Sequence, residues 1–289
     1  MSRKTATAVG FLAVVMWAAL ALFTAASGSV PPFQLAAMTF LIGGLLGVAS
    51  WPFRPGAAAS LKQDWRVWAL GIVGLFGYHF FYFSAIRAAP PVNVSLIAYL
   101  WPLFLVVLSG LLPGERIRPH HLIGVALGLA GAVLVVTRGK GFEIDPKDLP
   151  GHLLALFCPL IWSAYSVLSR RIAGVPTDVV AGYCLATAFL ALLCHLAFET
   201  TVWPGNAVQW LAVLGLGLLP VGAAFYTWDY GVKNGDIMVL GAASYASPLL
   251  STLLLVATGY AEASWAVLGA CVLIVAGAVT AAKEMLFRR

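Results

Sequence analysis

The chain has 289 residues, of which 61% are hydrophobic and 10% charged, with a net charge of +6 and a mean hydropathy of +0.93. Soluble domains are about 45–50% apolar and about 25% charged. A water-soluble enzyme is therefore excluded, and so is a disordered chain, which needs low hydrophobicity and high charge. The positive charge reads as cationic loops at a membrane face, not as a nucleic-acid footprint.

A transmembrane helix takes about 20 residues, so the chain is expected to form ten spans and no sizeable soluble domain. They fall at 5–27, 32–52, 66–88, 91–113, 119–138, 149–173, 178–200, 207–232, 236–259 and 262–286. Turn chemistry separates them: Pro31-Pro32, Trp51 to Lys62, Pro90-Pro91, Pro113-Gly114, Gly139 to Pro150, Gly174 to Pro176, Pro204-Gly205, Asn234-Gly235 and Gly259. Met1-Ser2-Arg3-Lys4 resembles the start of a signal peptide, but the apolar run to Ala26 is a full span without a convincing cleavage site and reads as a retained first helix.

In chain order, helix one carries Trp17. Helix two has Gly43 and Gly47, and helix five Gly124 and Gly128, spacings suited to close helix packing. Helix three has Gly71, Gly74 and Gly77, which allow tight packing or bending, then Tyr78 and Tyr82 four apart on one face, with His79 one residue round. Helix four has Tyr99, Trp101 and Pro102; helix six has Trp162, Ser163, Tyr165 and Ser166. Helix eight has Pro220, Gly222, Tyr226 and Trp228, and helix nine has Ser244, Tyr245, Ser247 and Pro248. A mid-span proline removes one backbone donor and clashes with the carbonyl four residues earlier. Gly77, Pro102, Pro220, Gly222 and Pro248 are accordingly the expected hinges.

Charge sets the direction. With the N-terminus inside, thirteen of the 17 Lys and Arg side chains fall on inside segments, and Arg87, Arg138, Lys140 and Lys147 fall outside. The positive-inside rule then places both termini in the cytoplasm of a multi-pass inner (plasma) membrane protein.

The two halves repeat. At an offset of 146, Tyr99 meets Tyr245, Pro102 meets Pro248, Arg87 meets Lys233, and Ala130-Gly131-Ala132-Val133 meets Ala276-Gly277-Ala278-Val279. Trp17 and Trp162 correspond at nearly the same offset. Each half holds five helices, an odd number, so the second half enters the membrane in the opposite direction. The expected fold is an all-α membrane protein of two inverted five-helix repeats, residues 1–140 and 149–289. Such folds place the substrate near the midplane, where helices are interrupted.

At these residues the sequence resembles a known family. The stretches AYLWPLFLVVLSGLLPGERIRPHHLIGVALGLAGAV and SYASPLLSTLLLVATGYAEASWAVLGACVLIVAGAV each resemble the closing helix pair of an EamA-type repeat. In that pattern a small-rich helix with a central Pro leads through a short acidic loop, here Leu112-Pro113-Gly114-Glu115-Arg116, into a Gly-rich helix. The second loop, Gly259-Tyr260-Ala261-Glu262-Ala263, departs from it by lacking Gly-Glu-Arg. The whole chain resembles the drug/metabolite transporter superfamily. Trp17, Tyr78 to Tyr82 and Tyr99 to Pro102 are similar to YddG-type exporters of aromatic amino acids, and this resemblance is what implies export.

The membrane interior points the same way. Mid-depth Lys or Arg is absent, and Asp229 has Lys233 four residues on as an ion-pair partner on one helical face. Phosphorylated cargo would want a buried cation and proton-exchanged cations a buried carboxylate. A neutral or zwitterionic small molecule is expected instead. Trp17, Tyr78, His79, Tyr82, Tyr99, Trp101, Trp162, Ser244 and Tyr245 are the expected binding residues, since rings stack on an aromatic cargo while OH and NH groups satisfy its charges. His79 reads either as a helix–helix hydrogen bond or as a residue that contacts the substrate carboxylate or gates its passage. The histidines and the four cysteines lack metal or disulfide spacing, so no metal or cofactor is expected. Neither a Walker motif nor a reactive-serine turn is present, which speaks against ATP drive and against an intramembrane enzyme. The expected partners are the substrate and membrane lipid, with no nucleic acid or protein partner; a different neutral or lipid-like cargo is the alternative.

Overall fold

The computed structural model describes residues 2–139, 145–259 and 264–283, and among them every regular element is helical. The second acidic loop beyond Gly259, and with it Lys140, Arg288 and Arg289 of the charge count, lies outside the described residues. Among the described residues seven helices are long and apolar enough to cross a membrane: α1 (Arg3–Ala26), α2 (Pro32–Phe53), α3 (Trp65–Ile86), α6 (Pro146–Arg171), α7 (Val179–Phe198), α8 (Ala207–Asn234) and α9 (Ile237–Leu254). Three shorter apolar helices complete the chain order: α4 (Asn93–Ser109), α5 (Pro119–Leu134) and α10 (Trp265–Ala281).

Local chemistry explains the starts. Pro32 opens α2 and Pro119 opens α5, at positions where a missing N–H costs nothing. The Asp64, Asn206 and Asp236 side chains accept from the first-turn N–H groups of α3, α8 and α9.

Among the described residues α1 is interrupted at Ala19, and four further helices are interrupted in a pattern that repeats. A wide π turn occupies Val73–Gly77 in α3 and Leu219–Ala223 in α8, 146 residues apart. The helix breaks at Tyr99 and Leu100 in α4 and at Ser244 and Tyr245 in α9, with Tyr99 and Tyr245 again 146 apart. Gly77, Pro220 and Gly222 therefore sit inside wide turns. Pro102 and Pro248 depart from the expected mid-helix kinks. Each lies in the first turn of the half-helix after a break, Trp101–Ser109 and Ala246–Ala257. First-turn N–H groups lack intrahelical partners anyway, so these prolines cost their own half-helix no ladder bond.

The halves interleave. The most extensive packing joins α5 to α10 and α2 to α7, followed by α1 on α8 and α3 on α6. Glycine permits the approach. A Cβ on Gly124 would stand 2.6 Å from the Gly277 carbonyl oxygen, and one on Gly43 would stand 3.0 Å from the Gly222 Cα. Between helices in lipid, this close van der Waals contact replaces the hydrophobic drive available in water.

A candidate substrate cavity

The bundle encloses a cavity of about 660 Å³, within the roughly 300–1,000 Å³ of small-molecule sites. Its walls are Trp17 to Gly28 of α1 and the turn after it, Pro32 to Phe40 of α2, Tyr78 to Ile86 of α3, Ser95 to Trp101 of α4, and Ser247 and Ser251 of α9. All lie in the half of the bundle remote from Arg3. The rim reaches the helix ends at Ser27, Gly28, Pro32 and Ile86, so the mouth is at that end.

Trp17, Trp101 and Trp162 form the floor, and the buried Trp228 packs behind them, four tryptophans from four helices. Trp17 lies 6.2 Å from Trp101, 5.7 Å from Trp162 and 5.1 Å from Trp228, centroid to centroid. Trp101 and Trp162 each lie within 6.1 Å or less of Trp228, at 5.5 and 6.1 Å. Most of these contacts are edge-to-face or tilted, the arrangements that ring quadrupoles favour. Buried polar atoms in the floor are satisfied. Trp17 Nε1 donates to the Pro220 carbonyl in the α8 wide turn at 3.0 Å. Ser163 Oγ donates to the Trp101 carbonyl at 2.7 Å. Trp228 Nε1 donates to Ser166 Oγ, whose hydroxyl donates to the Trp162 carbonyl.

The walls continue the aromatic surface. Phe40 stacks on Phe225, with centroids 5.5 Å apart and planes at 16°. His79 meets Phe40 edge-on at 4.9 Å. Tyr78 and Tyr82 stack at 6.1 Å and 6°, as their spacing implies, and the Tyr82 hydroxyl lies 3.4 Å from Ser95 Oγ. His79 Nδ1 lies 2.7 Å from the Leu75 carbonyl of its own wide turn. A carbonyl only accepts, so Nδ1 carries the proton, and Nε2 of the neutral ring is an acceptor.

Of the nine expected binding residues, Trp17, Tyr78, His79, Tyr82, Tyr99, Trp101 and Trp162 line the cavity. Ser244 and Tyr245 do not. Ser244 Oγ donates to the Leu240 carbonyl at 2.7 Å, and the Tyr245 ring packs against Gly128 of α5 in a cluster with Val106 and Ile274. The break in α9 turns these side chains toward α5 and α10. Lining residues outside that set include Phe40, Phe225, Ser95, Ser247 and Ser251. The repeat register held a signal for two of them, because Phe225 falls on His79 and Ser247 on Trp101.

None of the lining residues is Asp, Glu, Lys or Arg. Asp229 and Lys233 lie outside the cavity as a buried pair at 2.8 Å. Asp229 also accepts from Thr177 Oγ1 at 2.6 Å, and Lys233 Nζ donates to the Val175 carbonyl at 2.9 Å. Among the described residues no group of three His, Cys, Asp or Glu side chains could hold a metal ion.

The two ends of the bundle carry different ion pairs. At the N-terminal end, Glu115 of the α4–α5 loop lies 2.9 Å from Arg3 of α1 and 2.7 Å from Arg170 of α6. Arg170 also donates to the Val232 and Gly235 carbonyls of α8 and the α8–α9 turn, each at 2.8 Å, and Arg3 lies 3.2 Å from Asp236. At the mouth end, Glu199 after α7 accepts from Arg87, from His195 Nδ1 and from the backbone N–H groups of Phe33 and Gln34.

Comparison with known proteins agrees with this architecture. A model of the EamA-like transporter family matches residues 4–137 and again residues 149–282. A protein of Ancylobacter novellus named aromatic amino acid exporter YddG is 56% identical over 282 residues, 97% of this chain and 98% of that one. A protein of the same name from Salmonella typhimurium is 24% identical over 269 residues, 88% of each chain. A crystal structure superposes with a TM-score of 0.93 at 54% identity, covering 100% of this chain and 99% of the other.

Proposed function

The chain belongs to the EamA-like transporter family, and from that premise we propose that this multi-pass membrane protein is a secondary transporter that exports aromatic amino acids by alternating access. The single observation that carries the reading is the cavity itself: aromatic on its floor and walls, edged with hydroxyls, and free of charged side chains. A charged cargo there would leave an uncompensated charge in a low-dielectric site. A zwitterion carries both its charges with it and needs only donors and acceptors.

In this reading the cargo ring packs on Trp17, Trp101 and Trp162 and between the Tyr78 and Tyr82 edges. The His79 Nε2 lone pair and the Tyr99 hydroxyl face the cargo's polar end, with His79 taking the ammonium. All ten helices span the membrane as two inverted repeats, and both termini are cytoplasmic, so the mouth faces outward. The wide turns at Gly77 and at Pro220 and Gly222, with the breaks beside Pro102 and Pro248, let the half-helices rock about a fixed floor. Irregular backbone at membrane depth is tolerated where it lines a cavity or is buried in protein, as here.

The test is uptake of labelled phenylalanine and tryptophan by proteoliposomes holding the purified chain. Saturable uptake, inhibited by other aromatic amino acids and weakly by aliphatic ones, is the expected result. Equal inhibition by leucine and phenylalanine would move the assignment to a general carrier of neutral solutes.

A further inference from the structure

We propose that Glu115 is a positioning residue for the transport cycle, the latch that holds the N-terminal end of the bundle shut and so keeps the cavity open at the other end. The proposal rests on the alternating-access reading above. Its basis is where the carboxylate sits. Glu115 is mostly buried, with 11% of its side chain exposed, and bridges two guanidinium groups at 2.9 and 2.7 Å. Through Arg3 it holds α1, and through Arg170 it holds α6 and the carbonyls of Val232 and Gly235. One acid thus ties the loop of the first repeat to the second repeat and to the α8–α9 turn. Helix rocking that admitted water from this end would have to part these contacts.

The latch is one-sided, and the repeat shows it. In the register of Tyr99 and Tyr245, Glu115 falls on Ala261 and Asp236 on Pro90. In the register of Trp17 and Trp162, Arg3 falls on Asp148 and Arg170 on Ala25. The sequence at the matching positions, Ala25, Pro90, Asp148 and Ala261, therefore holds no acid flanked by two arginines. Duplicated halves placed head to tail would otherwise close both ends with equal strength. The Gly-Glu-Arg of the first acidic loop, missing from the second, is the sequence trace of this bias.

The test uses two single reporter cysteines in a chain whose four native cysteines are replaced by alanine, held in lipid nanodiscs. Val14→Cys lies on the N-terminal side of Trp17 and is fully buried; Ser251→Cys lines the cavity. With Glu115→Gln, a water-soluble thiol reagent should label Val14→Cys on the order of tenfold faster and Ser251→Cys more slowly, as loss of charge-assisted bonds shifts the equilibrium. Arg3→Gln, at a half-exposed position, should shift both reporters in the same directions by less. Unchanged labelling in both variants overturns the latch, and so does faster labelling of both reporters, which marks a general loosening. Reporters that shift in opposite directions in a protein that carries no aromatic amino acid keep the latch and remove the cargo assignment.

Discussion

The two ends of the bundle are held by different sets of ion pairs and to different effect. At the N-terminal end the Arg3–Glu115–Arg170 chain crosses the bundle axis, joining α1, the α4–α5 loop, α6 and the α8–α9 turn, and beneath the cavity lies a second barrier of four tryptophans. At the mouth end Glu199 gathers the start of α2, the end of α3 and the end of α7, all on one flank. Ties along a flank stiffen a wall, whereas ties across the axis close a passage. The contrast teaches that sidedness in a duplicated fold follows from which elements the ion pairs join at each end.

The largest effect should come from breaking the floor. Trp17 touches Trp101, Trp162, Trp228 and Phe225 and donates to the Pro220 carbonyl. Trp17→Ala should lower the initial rate of phenylalanine uptake by roughly a hundredfold, since truncating a packed tryptophan costs about 3–5 kcal/mol. Trp17→Phe, which keeps a ring and loses the indole donor, should retain an intermediate rate. Wild-type uptake by Trp17→Ala would make the floor mere packing.

Next is the buried pair between floor and N-terminal face. Asp229→Ala leaves the Lys233 ammonium without its carboxylate in a site where both side chains are at most 3% exposed. Breaking one partner of such a pair costs about 3–5 kcal/mol, whereas replacing both by apolar residues is often neutral. Thermal unfolding in detergent should show a large drop for Asp229→Ala and substantial recovery for Asp229→Leu combined with Lys233→Met. No recovery in the double variant would give the pair a role beyond mutual neutralisation.

Smaller effects sharpen the two walls. Ser247→Ala removes a hydroxyl that lines the cavity and should raise the KM for phenylalanine about twofold to tenfold, the range of one hydrogen bond of roughly 0.5–1.5 kcal/mol. Ser244→Ala should leave KM unchanged, because that hydroxyl is spent on Leu240. A KM shift for Ser244→Ala alone would reverse the assignment of the α9 residues. The smallest change is expected at the mouth. Arg87 is 45% exposed, and its partner Glu199 keeps His195 and the Phe33 and Gln34 N–H groups without it, so Arg87→Gln should alter uptake by less than about twofold.

Much of the architecture was legible because the deciding signals are local. Proline and glycine at fixed places marked the interruptions, and the offset of 146 linked them in pairs, so that the wide turns at Val73–Gly77 and Leu219–Ala223 fall in the same register. Tyr78 and Tyr82 share a face because residues four apart on a helix must. The register match of Tyr245 to Tyr99 does not carry its side chain into the cavity. A repeat preserves backbone position, not which neighbour covers a side chain, and Gly128 leaves room for the Tyr245 ring. Phe40 and Phe225 were illegible because a phenylalanine facing a cavity and one facing lipid look alike in sequence. The Glu115 contacts join residues 112 and 55 positions apart, and no local pattern encodes such pairs.

The central claim is that an uncharged aromatic cavity selects a zwitterion. The most direct measurement is competition against labelled phenylalanine uptake by three molecules that share one ring: phenylalanine, the cation phenylethylamine and the anion phenylpropionate. The account predicts strong competition by phenylalanine and weak competition by the other two, each of which brings one unbalanced charge into the cavity. Phenylethylamine or phenylpropionate competing as well as phenylalanine would contradict it.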